Sequence, residues 1–139
     1  MGRLAHPLVF GLALGLCVAP ASAQPRPEAD QLPDLEVYAV ALGENGSVIY
    51  QVANRGKGGT ERPFVVDVYV NGVRKDSITH SPLLGLSVQA AQSNLARLTE
   101  RKVGTVRLVL DPQNSVREAS KANNERTAQL VPACARPPR

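Results

Sequence analysis

The stretch "SVREASKANNERT", residues 115–127, lies between two segments that alternate apolar and polar residues. Before it, "TVRLVLD" (105–111) sets Val106, Leu108 and Leu110 on one side and Arg107 on the other; after it, "TAQLV" resumes the alternation. Patterning of period two over so few residues marks a half-buried β-strand. The run itself begins as a helix-tolerant polar stretch, then places Asn123 and Asn124 side by side just ahead of the next strand. Asp and Asn side chains bond nearby backbone groups and carry a chain through tight turns. The run therefore reads as a crossing between two sheets, with Val116 plugging it into the core. Its expected structural residues are Asp111, Val116, Glu118, Asn123 and Asn124.

The same alternation recurs upstream. "LEVYAVAL" (35–42) presents Leu35, Val37 and Ala39 on one side, and Asn45-Gly46 then reads as a type I′ hairpin turn, since both residue types accept positive φ. "VIYQVAN" (48–54) follows with Val48, Tyr50 and Val52 on one face, then "RGKGGTERP" (55–63), whose three glycines predict a mobile loop. "FVVDVYV" turns Phe64, Val66, Val68 and Val70 inward and Asp67 and Tyr69 outward, and Asn71-Gly72 gives a second tight hairpin into Val73–His80. Residues 86–91 read as a weaker strand. The stretch 92–104 fits either a helical turn or an irregular crossing. Six or seven short alternating strands without helical segments define two antiparallel sheets packed face to face. The expected fold class is an all-β, immunoglobulin-like sandwich of about seven strands.

The ends differ in character. Arg3 followed by "PLVFGLALGLCVAP" and Ala21-Ser22-Ala23 has the charged, apolar and small-residue regions of a secretory leader, with cleavage expected between Ala23 and Gln24. Leu16 before Cys17 is too bulky for lipid-modifying processing. The expected organisation is a leader over 1–23, a proline-rich arm over 24–33, the sandwich domain over 34–131 and a proline-rich tail over 132–139. No later stretch reaches the roughly 20 apolar residues of a membrane span. An exported protein, periplasmic or extracellular, is the expectation. Cleavage removes 23 of 139 residues and leaves 116, enough for one core. Cys134 would then be the sole cysteine, either a free thiol or one half of a disulfide between two chains.

Composition argues against several functions. Without Arg3 there are 15 basic and 12 acidic residues, and neighbouring opposite charges break up the basic ones: Arg74-Lys75 meets Asp76, and Arg101-Lys102 follows Glu100. Nucleic-acid binding would need an unopposed basic face with stacking aromatics. The sequence has no Trp, and Tyr69 alone is a candidate platform for a sugar. No catalytic constellation is present: His80 stands alone at a strand end, where a histidine is expected at the surface, and neither a nucleophile elbow nor a zinc-binding helix motif occurs. No enzyme activity, cofactor or nucleic acid is expected.

Read together, "LPDLEV", "YQVANRG", "VYVNG" and "LDPQNSVREASKANN" resemble the CARDB family. Its members are immunoglobulin-like sandwich modules of exported and cell-surface proteins, named for a role in cell adhesion. The resemblance spans about residues 33–131. With no catalytic constellation, the edge strands and end loops of such a sandwich make a non-enzymatic binding module for an envelope or extracellular protein the expectation. One position departs: the family often has an acidic residue three places after the first, where this chain has Lys121 after Glu118. That departure bears on the alternative reading, a calcium-stabilised structural domain. Asp111, Asn114, Glu118, Asn123 and Asn124 offer side-chain oxygens, but calcium needs six to eight oxygens with ample carboxylate. Two carboxylates beside a lysine supply it poorly, so no metal site is expected.

Overall fold

The computed structural model describes residues 28–132. A short 3-10 turn, Ala29–Gln31, lies within the proline-rich arm. Seven strands follow: β1 (Leu35–Leu42), β2 (Ser47–Asn54), β3 (Phe64–Val70), β4 (Val73–His80), β5 (Val88–Arg97), β6 (Gly104–Leu110) and β7 (Glu125–Leu130). They form two sheets, ordered β1-β2-β5 and β4-β3-β6-β7. Every paired neighbour is antiparallel. The all-β sandwich read from the alternation is the fold of the protein.

The inward rows meet in one core. Val48, Tyr50 and Val52 of β2 face Val66 and Val68 of β3 and Val106 and Leu108 of β6, and all seven are essentially inaccessible to solvent. Each such side chain contributes about 1.5–3 kcal/mol by leaving water. Val116 is buried in the same cluster, so the polar crossing is anchored by one apolar residue.

In β1 the alternation misleads after Val37. The register shifts between Val37 and Ala39, so Tyr38 is an extra residue opposite β2. Since a one-residue slip exchanges the two faces of a strand, Val40 and Leu42 turn to the core and Ala39 turns away. The two Asn-Gly turns also differ. Asn71 and Gly72 both have positive φ (49° and 81°), as a type I′ turn requires. At the first hairpin only Gly46 does (75°). There Asn45 instead accepts a hydrogen bond from the Ser47 amide through its side chain (3.0 Å). A side chain at Gly46 would run into the carbonyl of Leu98.

The stretch 92–104 is an irregular crossing only in its second half, 98–103, which leads to β6 in the other sheet. Its first half continues β5 through Arg97, paired with β2 from Ala53 to Ser47. Both open sides of the sandwich are then fastened by side chains. Ser93 of β5 donates to Asp76 Oδ2 of β4 (2.5 Å), and the Arg126 guanidinium of β7 donates to the carbonyls of Val37 (3.2 Å) and Tyr38 (3.0 Å) of β1.

Candidate functional site

The crossing after β6 forms a polar knot at one end of the sandwich. Asp111 adopts a positive φ (42°) and Asn114 another (54°), which turn the chain sharply away from β6. The Asp111 carboxylate then closes that turn. It accepts from the Ser115 amide and hydroxyl through Oδ1 (2.9 and 2.5 Å), and from the Val116 amide through Oδ2 (2.9 Å). Burial pushes the Asp111 carboxyl up, but these bonds and one from Lys121 outweigh it and hold it below its ordinary value.

Glu118 ties the knot to the other sheet. Its Oε2 accepts from the amide of Leu35, the first residue of β1 (2.9 Å). Its Oε1 accepts from Asn124 Nδ2 (2.8 Å) and from the Lys121 ammonium (2.6 Å). Asn123 turns elsewhere, donating to Asp34 Oδ1 (3.0 Å), and the Ala119 amide donates to the Pro33 carbonyl (2.8 Å). Partners more than eighty residues apart are thereby joined, and the first turn of the domain is locked against its last crossing.

The five oxygen-bearing residues singled out from sequence thus do not converge on a point. Asp111, Glu118 and Asn124 meet around Lys121, Asn123 binds the start of β1, and Asn114 stays exposed in the turn. Among the described residues no three His, Cys, Asp or Glu side chains form a metal-holding group. The side-chain oxygens of Asn123 and Asn124 are buried without a protein partner. The expected cleavage site at Ala23 and Gln24, and Cys134, lie outside the described residues.

A second bracket escaped the sequence reading. Asn54 is buried at the end of β2, where its Oδ1 accepts from the amides of Asp34 (3.0 Å) and Gly56 (3.1 Å). Its Nδ2 donates to the carbonyls of Gly58 (2.8 Å) and Leu84 (3.1 Å). The glycine-rich loop, expected to be mobile, is therefore pinned through its own backbone. The signal available in sequence was an Asn placed where the strand pattern called for an inward residue.

His80 is the clearest correction. It is only 3% exposed, packed parallel to the Phe64 ring with centroids 5.2 Å apart. Phe64 pairs with His80 in the β3–β4 ladder, which carries that strand end under the neighbouring sheet. The Tyr50 hydroxyl lies 2.8 Å from Nε2, and Gln89 Oε1 lies 3.2 Å from Nδ1. Since the glutamine oxygen can only accept, Nδ1 carries the proton and Nε2 accepts from the tyrosine. Burial lowers the His80 pKa, and the bond to Gln89 offsets part of that. Burial, with the charge of Asp76, raises that of Tyr50. Both groups are satisfied and sealed, an arrangement suited to a core polar link.

The strand edges form the remaining candidate surface. Residues 77–96 contain no Asp, Glu, Lys or Arg, and β5 occupies the second half of that run. Just before it Leu84 (76% exposed) and Leu86 (74%), and within it Val88 and Leu95 (70%), stand out in solvent. The outer face of the β1-β2-β5 sheet continues in small or uncharged residues, with Ala39, Gln51 and Ala90 in one row and Ala41, Ile49 and Gln92 in the next. The other sheet turns charge outward. Asp67 is bonded to Arg74 and Ser77, and the Arg107 guanidinium lies 4.4 Å from the Tyr69 ring, which takes away that platform.

Two antiparallel sheets over one core, closed at one end by an Asp-to-Asn knot, define a small β-sandwich module with no helix, among the described residues, long and apolar enough to cross a membrane. The family model for CARDB matches residues 32–128, and the chain belongs to that family. Similar solved structures agree. A domain of a Methanosarcina acetivorans protein, described as a candidate cell surface protein, is 21% identical and covers 73% of this chain and 93% of its own, with a TM-score of 0.64. The CARDB domain of a Pyrococcus furiosus protein, solved in complex with di-metal ions, is 26% identical over 73% of this chain and 94% of its own, with a TM-score of 0.58. No curated protein matches the chain.

Proposed function

We propose that this chain is a non-enzymatic binding module of the cell envelope or exterior that takes an extended segment of a partner protein as an added strand along β5. The observation that carries this reading is the contrast among the four sheet edges. β1 is bulged at Tyr38 and covered by Arg126. β4 carries Arg74, Lys75 and Asp76 and a register shift opposite Val68 and Tyr69. β7 begins with Glu125 and Arg126. Bulges and charges of this kind are how sheets deter unwanted pairing. β5 is uncharged from Val88 to Ala96, its backbone pairs only with β2, and its register shifts only beyond Gln92, which leaves Val88–Gln92 as an even edge. Its free backbone groups can accept a strand, and the apolar residues beside it can hold alternate side chains. The end loops are weaker candidates, since Asn54 and Thr60 already engage their polar groups.

The test is capture from the envelope extract of the source cell, with crosslinks mapped by mass spectrometry. Crosslinks from the captured protein to residues 86–95, abolished by the double variant Ala90→Lys, Gln92→Lys, support strand addition. Capture unchanged in that variant, while the variant stays folded, would remove β5 from the proposal. Export itself is tested by sequencing the N-terminus of the protein in the cell, which should begin at Gln24.

The metal ions of the Pyrococcus domain suggest calcium stabilisation as a second reading for this chain. The residues present do not fit it. The carboxylates that would hold an ion are Asp111 and Glu118, and a lysine ammonium is bonded to both.

A further inference from the structure

Lys121 sits in surroundings that resemble an ion site more than an ordinary surface ion pair. Its Nζ donates to Oδ2 of Asp111 (2.9 Å), Oε1 of Glu118 (2.6 Å) and the carbonyl of Val116 (2.9 Å). The two carboxylate side chains are 1% and 0% exposed, while the lysine reaches them from a position 38% exposed. An ammonium has three N–H donors, and three oxygens receive them. Asn124 lines the same cleft, and its buried Oδ1 has no partner. Carboxylate and carbonyl oxygens gathered about one positive charge form the kind of donor set a hard divalent cation draws from a protein.

We propose that Lys121 is a tethered cation, its ammonium holding the crossing closed in place of a dissociable metal ion and keeping such ions out. Two buried carboxylates cannot stay ionised side by side without a counter-charge. A lysine attached to the same loop supplies that charge without any loss to dilution or chelation. The module would then hold its fold in metal-poor and metal-rich surroundings alike.

Thermal unfolding of the mature protein and two variants decides the matter, in chelator and then with Ca2+, Mg2+ or Mn2+. Wild type should melt at the same temperature throughout. Lys121→Ala leaves two uncompensated carboxylates and an open space, and should melt roughly 5–10 °C lower in chelator. At least one of the ions should raise it again, saturably. Lys121→Met, which fills the space with an apolar chain, should melt lower and stay there in every ion. Should Lys121→Ala fail to fold in chelator, recovery of its folded circular dichroism on adding an ion counts as the same support. The proposal is overturned if an ion stabilises wild type or if Lys121→Ala is as stable as wild type. It is equally overturned if no ion restores that variant, or if Lys121→Met is restored equally.

Discussion

The hydroxyl of Tyr50 donates to Nε2 of His80 across 2.8 Å inside the core, joining β2 to the end of β4. Gln89 of β5 holds the other ring nitrogen, Phe64 of β3 covers one ring face, and Asp76 of β4 is the charge felt at Tyr50. This buried link requires the neutral imidazole. It gives stability a pH dependence that a surface histidine would not.

Stability should therefore fall as pH drops below about 6.5. His80 has a folded pKa below its unfolded value, so the unfolded chain takes up the proton first and acid favours unfolding. The slope is at most about 1.4 kcal/mol per pH unit between the two values. Asp111, also depressed, adds a separate loss below about pH 4. Urea midpoints measured from pH 8 to pH 5 should fall for wild type and stay nearly flat for His80→Gln. Equal slopes would place the titrating group elsewhere.

Val68→Ala should cost about 1–3 kcal/mol, combining lost burial and a cavity. Val65, on the outer face of the same strand, should cost clearly less when truncated. Denaturant melts with the order reversed would contradict the register of β3.

Asn124→Ala should cost about 0.5–2 kcal/mol, chiefly through the bond it gives up to Glu118. Asn54→Ala should cost more, about 2–4 kcal/mol, because four hydrogen bonds to backbone groups are lost at once. Similar losses for the two variants would mean that the glycine-rich loop is held by its own turns.

If the chain is exported as proposed, part of it should run as a dimer on non-reducing gels when thiols are blocked at lysis. Under that proposal, cleavage before Gln24 would leave Cys134 as the sole cysteine, in an oxidising compartment. A single monomer band, unaltered by reductant or by Cys134→Ser, would rule out the linked pair.

The sequence by itself determined the sandwich, because apolar alternation is a local property that a strand expresses wherever it lies. Val66, Val68, Val106 and Leu108 had to share one interior, and Asn71-Gly72 had to turn. It also determined that residues 111–124 form a crossing, through Asp and Asn side chains that bond their own neighbourhood. Alternation failed where one residue was inserted, at Tyr38, since nothing local marks a bulge. Only the tertiary structure decided what required distant partners. Glu118 finds the Leu35 amide 83 residues away, His80 is buried because β5 covers it, and Lys121 becomes a counter-charge because the crossing folds it onto two carboxylates. That β5 ends its sheet is likewise a tertiary fact, for its uncharged sequence does not say that its backbone pairs with β2 alone.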